Sequence, residues 1–393
     1  MQKQQHNLSN LFSLGFRPLF SLMALAAVLG IGLWLVYFVL GWQIIFIAGN
    51  PVLWHGHEML FGFAAAAIGG FLLTASANWA GRPPIQGAPL VLISLAWFAG
   101  RLVMMFSGLL NPAWVAAVDL LYLGLLIVMI GNTLIRARNR RNYKIIAVLI
   151  VLFCLNGLYH FSSLGGPVSA HTAIRIALVM VSVMIAIIGG RIVPAFTTNW
   201  LRQQGRLDQT GKPQSPRMMD ELAIGFSLVL AVCWGFFPEQ VFTGWIAMIA
   251  GLLHGLRMSG WKGWATTAEP LMLTLHVAYG WLALALVALG VAICFDGLPQ
   301  SAAIHGLTVG AIGTMILSVA VRVSLGHTGR PLRATKRISW MFVLVTVAAV
   351  VRIFAPVSDY YLELILVSGL LWVAAFVLFM VEFIPVYLSP RQS

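Results

Sequence analysis

Runs of about 20 apolar residues recur along nearly the whole chain, broken at Gly, Pro and charged positions. Drawn against those breaks, the pattern predicts twelve spans, roughly at 19–40, 55–77, 88–107, 113–135, 144–163, 171–192, 221–237, 240–257, 270–294, 302–325, 338–355 and 360–387. Most connections are short. The longest, about 193–220, holds Gln203, Gly205, Asp208, Gly211, Lys212, Pro213 and Pro216 and reads as a solvated cytoplasmic loop. The expected fold class is all-α, a polytopic membrane protein with a single domain of twelve transmembrane helices.

Composition agrees. Of 393 residues, 60% are hydrophobic and 9% charged, whereas a soluble domain carries about 25% charged residues. The net charge of +13 raises nucleic acid as a partner, but its distribution gives a simpler reason. All but three of the 24 Lys and Arg lie at the termini or in loops after even-numbered spans, among them Arg82, Arg136, Arg141, Lys212, Arg257, Lys262 and Arg330. Loops after odd-numbered spans hold none. The positive-inside rule then places both termini in the cytoplasm and requires an even number of spans. The partner that this charge implies is a lipid bilayer, not nucleic acid. The cysteines, Cys154, Cys233 and Cys294, are far apart and form no CxxC or CxxCH motif. The first apolar run is too long for a secretory signal and lacks a small-residue cleavage site.

The three remaining arginines, Arg101, Arg175 and Arg352, fall inside spans toward the external side. They either snorkel to that interface or neutralise buried anionic groups such as haem propionates, a carboxylate or an anionic substrate. A gapless alignment of His57 with His305 also pairs Gly62 with Gly310, Ile68 with Ile316, Ser76 with Ser324, and Gly81-Arg82-Pro83 with Gly329-Arg330-Pro331. This marks a possible parallel repeat of 55–107 and 302–355.

Histidines carry the candidate chemistry. His55, His57, His160, His171 and His305 fall at one membrane face, and His276 lies within a span near the depth of His254. Intramembrane ionisable residues are costly and point to function. Neutral imidazole suits haem iron or copper in a site without thiolates. The segment Trp54-His55-Gly56-His57-Glu58-Met59 is the strongest local feature. Residues i and i+2 point about 200° apart on an α-helix, so His55 and His57 would serve different centres, or one would ligate while the other supports it. Glu58, one turn from His55, is placed to orient it; a polar helix cap is the plain alternative. His57 and His305 would make a bis-imidazole haem pair. His160 and His171 flank a short turn and suit copper or a second haem edge, or simply interfacial water. His276 and Tyr279 share a helix face and could serve a second centre, a proton path or ordinary interhelical hydrogen bonding.

Several motifs together resemble one family. They are Leu14-Gly15-Phe16-Arg17-Pro18; Trp54-His55-Gly56-His57-Glu58-Met59 with Phe61-Gly62; Gly190-Arg191 with Pro194; His305 with Gly310 and Gly313; and Leu325-Gly326-His327-Thr328-Gly329-Arg330. The chain is similar to the NnrS family of bacterial inner-membrane proteins. That resemblance implies twelve helices, bound haem (of b type, held non-covalently) and copper, and a part in the response to nitric oxide. The expected function is therefore haem- and copper-dependent binding or turnover of nitric oxide at the periplasmic face, protecting against nitrosative stress. Turnover would make it an oxidoreductase drawing electrons from a quinol or an external donor. His55, His57 and His305 are the expected ligands, with Arg101, Arg175, Arg352 and Glu58 around the cofactors. A secondary transporter for a metal, haem or small anion fits the same twelve spans, as does a protein that holds metal without catalysis.

Overall fold

The computed structural model describes residues 7–43 and 46–392; Lys3 and His6 lie outside the described residues. Among the described residues there is no strand, and twelve helices are long and apolar enough to cross a membrane. They are α1 (Phe16–Phe38), α2 (Pro51–Ala80), α3 (Ala88–Met105), α4 (Pro112–Arg136), α5 (Tyr143–Ser163), α6 (Ala170–Gln203), α7 (Arg217–Phe236), α8 (Val241–Ser259), α9 (Pro270–Cys294), α10 (Gln300–His327), α11 (Lys336–Phe354) and α12 (Tyr361–Tyr387).

Three starts share one device that hydropathy alone does not register. Asn50, Asn111 and Glu269 each accept a hydrogen bond from the backbone N–H two residues on, and a proline follows at the first helical position. The cap satisfies an orphan donor, and proline has no N–H to orphan. Helix α2 therefore begins at Pro51, four residues before the apolar pattern marks it, and the Trp54–Met59 segment sits inside the helix. At the other extreme, α6 does not stop near residue 192. It runs through Pro194 to Gln203, so the first part of the segment read as loop 193–220 is helical. Proline costs the helix one bond, the one to the Gly190 carbonyl; the Thr197 and Thr198 hydroxyls donate one turn back, to the carbonyls of Val193 and Pro194, at 2.9 and 2.8 Å. Leu201, fully buried, anchors the extension.

The chain forms two compact units, Met1–Ala177 with Arg322–Pro331 and Phe376–Ser393, and Leu178–Val321 with Leu332–Ala375. In the first unit Arg17, buried at 2% exposure, donates from Nη1 to the carbonyls of Asn10, Tyr387 and Ser389 at 2.9, 2.9 and 2.8 Å. These carbonyls close the end of α12, where helical acceptors lack partners. Beside them His327 packs on Phe16, and Gly329 (φ +77°) brings its backbone against Gln392, whose N–H donates to the Thr328 carbonyl at 2.9 Å. The motifs around Arg17 and His327 thus serve one structural joint. Replacing Arg17 with Ala strips that joint of the guanidinium that three of its carbonyls share, and the unfolding free energy in detergent should drop by about 2–4 kcal/mol; an unchanged midpoint would deny Arg17 this role.

Candidate metal centre

The first unit gathers His57, Glu58, Arg101, Asp119 and His160 at one end of α2–α5, opposite the ends that carry Arg82 and Arg136–Arg141. Asp119 is the hub. It lies on α4 and its carboxylate is fully buried. Its Oδ1 accepts a very short bond from Arg101 Nη2 on α3. Its Oδ2 faces Asn156 Nδ2 at 2.8 Å and His160 Nε2 at 3.0 Å, both on α5, and His57 Nε2 of α2 at 3.2 Å. The donor atoms of His57, Asp119 and His160 lie within 4.8 Å of one another, and all three residues are buried.

Around these, supporting contacts fix each group. Asn156 Oδ1 meets His57 Nε2 at 2.8 Å. Glu58 Oε1 lies 3.1 Å from His57 Nδ1 and accepts from Arg101 Nη1 at 2.6 Å. Glu58 was expected to orient His55, one α-turn away. It turns to His57 and Arg101 instead, because the opposite charge on α3 outweighs a local i,i+3 contact and the helix widens into a π-helix over Glu58–Ala64. The arginine passes close to Gly62, where an added Cβ would come within 3.0 Å of Nη1. Trp97 Nε1 donates to the Gly62 carbonyl at 3.0 Å. An apolar plug of Trp54, Met104 and Val115, backed by Leu33 and Tyr159, closes the end of the bundle.

The charges do not balance. Glu58 and Asp119 bring two negative charges and Arg101 one positive. Neutral imidazole carries a single N–H, yet both nitrogens of His57 face oxygen acceptors. One further positive charge completes the cluster, either a second ring proton or a cation in place of the Nε2 protons. Two imidazoles and one carboxylate form a ligand set suited to copper(II), iron(II) or zinc. A carboxylate on the far nitrogen of a ligating imidazole is the usual outer support of such sites.

The other candidates lie elsewhere. His55 stacks on Trp34 of α1, with ring centroids 4.4 Å apart and planes 20° from parallel, so the two histidines of Trp54–Met59 do face different surroundings. His171 is exposed at the start of α6 and lies outside the His57 group. Arg175, on the same helix, is half-buried. In the second unit His305 Nδ1 donates to the Ser301 carbonyl at 2.7 Å. His276 contacts Thr197 Oγ1 at 3.0 Å, whereas Tyr279 bonds His254 at 2.8 Å and Arg257 at 2.7 Å. His276 and Tyr279 thus join different hydrogen-bond partners. Sequence reasoning singled out His57, His160, Arg101 and Glu58 but missed Asp119. A lone acidic residue in an apolar span is itself a signal, and it was available.

No curated protein matches this chain. A family model described as NnrS protein matches residues 10–391, nearly its whole length. That span takes in the Arg17 joint, the His57–Asp119–His160 centre and the Gly-rich turn after α10 alike, and the chain belongs to the NnrS family.

Proposed function

We propose that this multi-pass membrane protein binds copper at His57, Asp119 and His160, holds haem as a second cofactor, and uses them to bind or turn over nitric oxide in the bacterial inner membrane. The buried three-ligand cluster with one missing positive charge carries this reading. Its donors fit copper(II): two borderline nitrogens and one hard oxygen, with a carboxylate behind His57. The nearest alternative use of such residues, a self-satisfied ion-pair network, needs a second ring proton on His57 where the metal would stand.

For haem the support is narrower. His305 has its Nδ1–H held by a backbone carbonyl, the arrangement that orients an axial imidazole. A bound metal with an open position would supply a coordination site for a diatomic ligand. The chain's own residues do the rest: Arg101 bridges the Glu58 and Asp119 carboxylates, Asn156 fixes the Asp119 and His57 orientations, and the Trp54 plug keeps water out, which strengthens every charge interaction inside. The basic residues opposite the centre support a position toward the periplasmic face, by the positive-inside rule.

Absorption spectra and metal analysis of the purified protein, oxidised and reduced, with and without nitric oxide, test the proposal. Near-stoichiometric copper and a Soret band that shifts with nitric oxide are expected. Protein from copper- and haem-replete cells that carries neither would overturn it.

A further inference from the structure

Two stretches of the chain repeat each other element by element. In the first, helix 51–57 gives way to a π-helix from Glu58, an α-helix from Ala65, a left-handed Gly81, α3 from Ala88, a 3₁₀ turn from Ser107 and α4 from Pro112. In the second, helix 300–305 gives way to a π-helix from Gly306, an α-helix from Thr314, a left-handed Gly329, α11 from Lys336, a 3₁₀ turn from Ala355 and α12 from Tyr361. Every start recurs 248 or 249 residues later. Helix contacts follow the same register. In the first stretch α3 meets α4 where Gly100 faces Asp119, its added Cβ falling 3.1 Å from Oδ1. In the second, α11 meets α12 where Ser368 Oγ donates to the Ala348 carbonyl at 2.8 Å. In that register Ser368 stands in the place of Asp119, and Gly306 in the place of Glu58.

The second stretch therefore keeps the imidazole, as His305, and keeps a cation, Arg352, one helical turn beyond the Arg101 position and on the same face. It lacks both carboxylates. The consequence is visible at Arg352, whose Nη1 is buried and makes no hydrogen bond among the described residues. A polar neighbour is the Tyr361 hydroxyl, and no carboxylate lies within ion-pair distance among the described residues. A buried guanidinium nitrogen without an acceptor is costly, and an anion would satisfy it.

We propose that the two stretches are duplicated copies, and that the second binds an external planar oxyanion or carboxylate at Arg352 where the first is neutralised by its own Asp119 and Glu58. This site is built from residues other than those of the metal centre, and the proposal does not depend on metal binding there. The shared chemistry has two sources, a free small anion or the propionate of a bound porphyrin, and the test separates them. Thermal unfolding of the full-length, haem-free protein in detergent is followed in sodium acetate or nitrite against chloride at equal ionic strength. Retention of haem is then compared with retention of its dimethyl ester, which has no free carboxylates.

A free-anion site predicts a raised midpoint with acetate or nitrite in the wild type and none in Arg352→Gln. A propionate site predicts that haem is held at least about tenfold more tightly than the diester, the ratio falling to one in Arg352→Gln. In either case Ser368→Asp, which restores the first copy's carboxylate, raises the anion-free midpoint and weakens the anion effect; this variant decides the matter if Arg352→Gln does not fold. Wild type, Arg352→Gln and Ser368→Asp that respond alike to every anion and to both porphyrins would overturn the proposal.

Discussion

Asp119→Ala should strip the protein of nearly all its copper and lower its stability by about 3–5 kcal/mol. The stability loss follows from leaving a buried guanidinium short of a partner while His57, His160 and Asn156 lose the oxygen on which all three converge. The copper loss follows from removing the one anionic ligand of the centre. Asp119→Asn separates the two effects. The amide keeps the shape and one acceptor oxygen, so stability should fall by only about 1–2 kcal/mol, yet the charge is gone and copper should go with it. Glu58→Gln touches the metal only through His57 and should weaken binding by about 10–100-fold without abolishing it. Copper per protein, measured by metal analysis after dialysis against a weak chelator, reads all three. Full copper occupancy in Asp119→Ala would remove this carboxylate from the ligand set.

The second large effect belongs to Arg257, in the other unit. Its guanidinium is 2% exposed. It donates from Nη1 to the Ala186 carbonyl and the Tyr279 hydroxyl, and from Nε to Asp220, each at 2.7 Å. It also lies 5.6 Å from the Trp261 ring centroid. One side chain thus ties α6, α7, α8 and α9 together. Arg257→Ala should cost about 3–5 kcal/mol. Gly190, of the Gly190-Arg191 motif, exists to admit this group: a Cβ there would overlap the guanidinium. Gly190→Ala alone should therefore cost about 1–3 kcal/mol by overpacking. Once Arg257 is already Ala, the added methyl enters vacated space and should cost close to nothing. A double-mutant cycle in unfolding free energy reads the coupling; strict additivity would show that the two positions do not meet.

The twelve spans were legible because a bilayer tolerates so little else: long apolar runs and a one-sided distribution of Lys and Arg report directly on what must be buried. Helix ends were less so. The start at Pro51 depends on the Asn50 cap, and the continuation past Pro194 is held by the burial of Leu201 on the extension; neither shows in the hydropathy of the run as a whole. At the site, His57 and His160 stood out as costly residues in apolar surroundings. Their meeting did not, since it requires α2 and α5 to converge on α4, and one sequence holds no record of which helices touch. Asp119 has no partner along its own helix to mark it: its contacts come from α2, α3 and α5. Glu58 was assigned to the wrong histidine because spacing along a regular α-helix ignores both the π-helical widening and the pull of Arg101 from another helix.

The joint at Arg17 also bears on how the molecule is made. Its acceptors at Tyr387 and Ser389 leave the ribosome some 370 residues after the arginine itself. The first unit recruits Arg322–Pro331 and Phe376–Ser393 as well. Helix α1 thus enters the bilayer early, with a buried cation whose partners have not yet been synthesised. Until those residues emerge, that charge has to be screened by water, lipid phosphate or an assembly factor. Emergence of Tyr387 and Ser389, rather than insertion of the last helix alone, is then the event that closes the joint, and a ribosome stalled just short of it would leave a nascent chain exposed to membrane proteases.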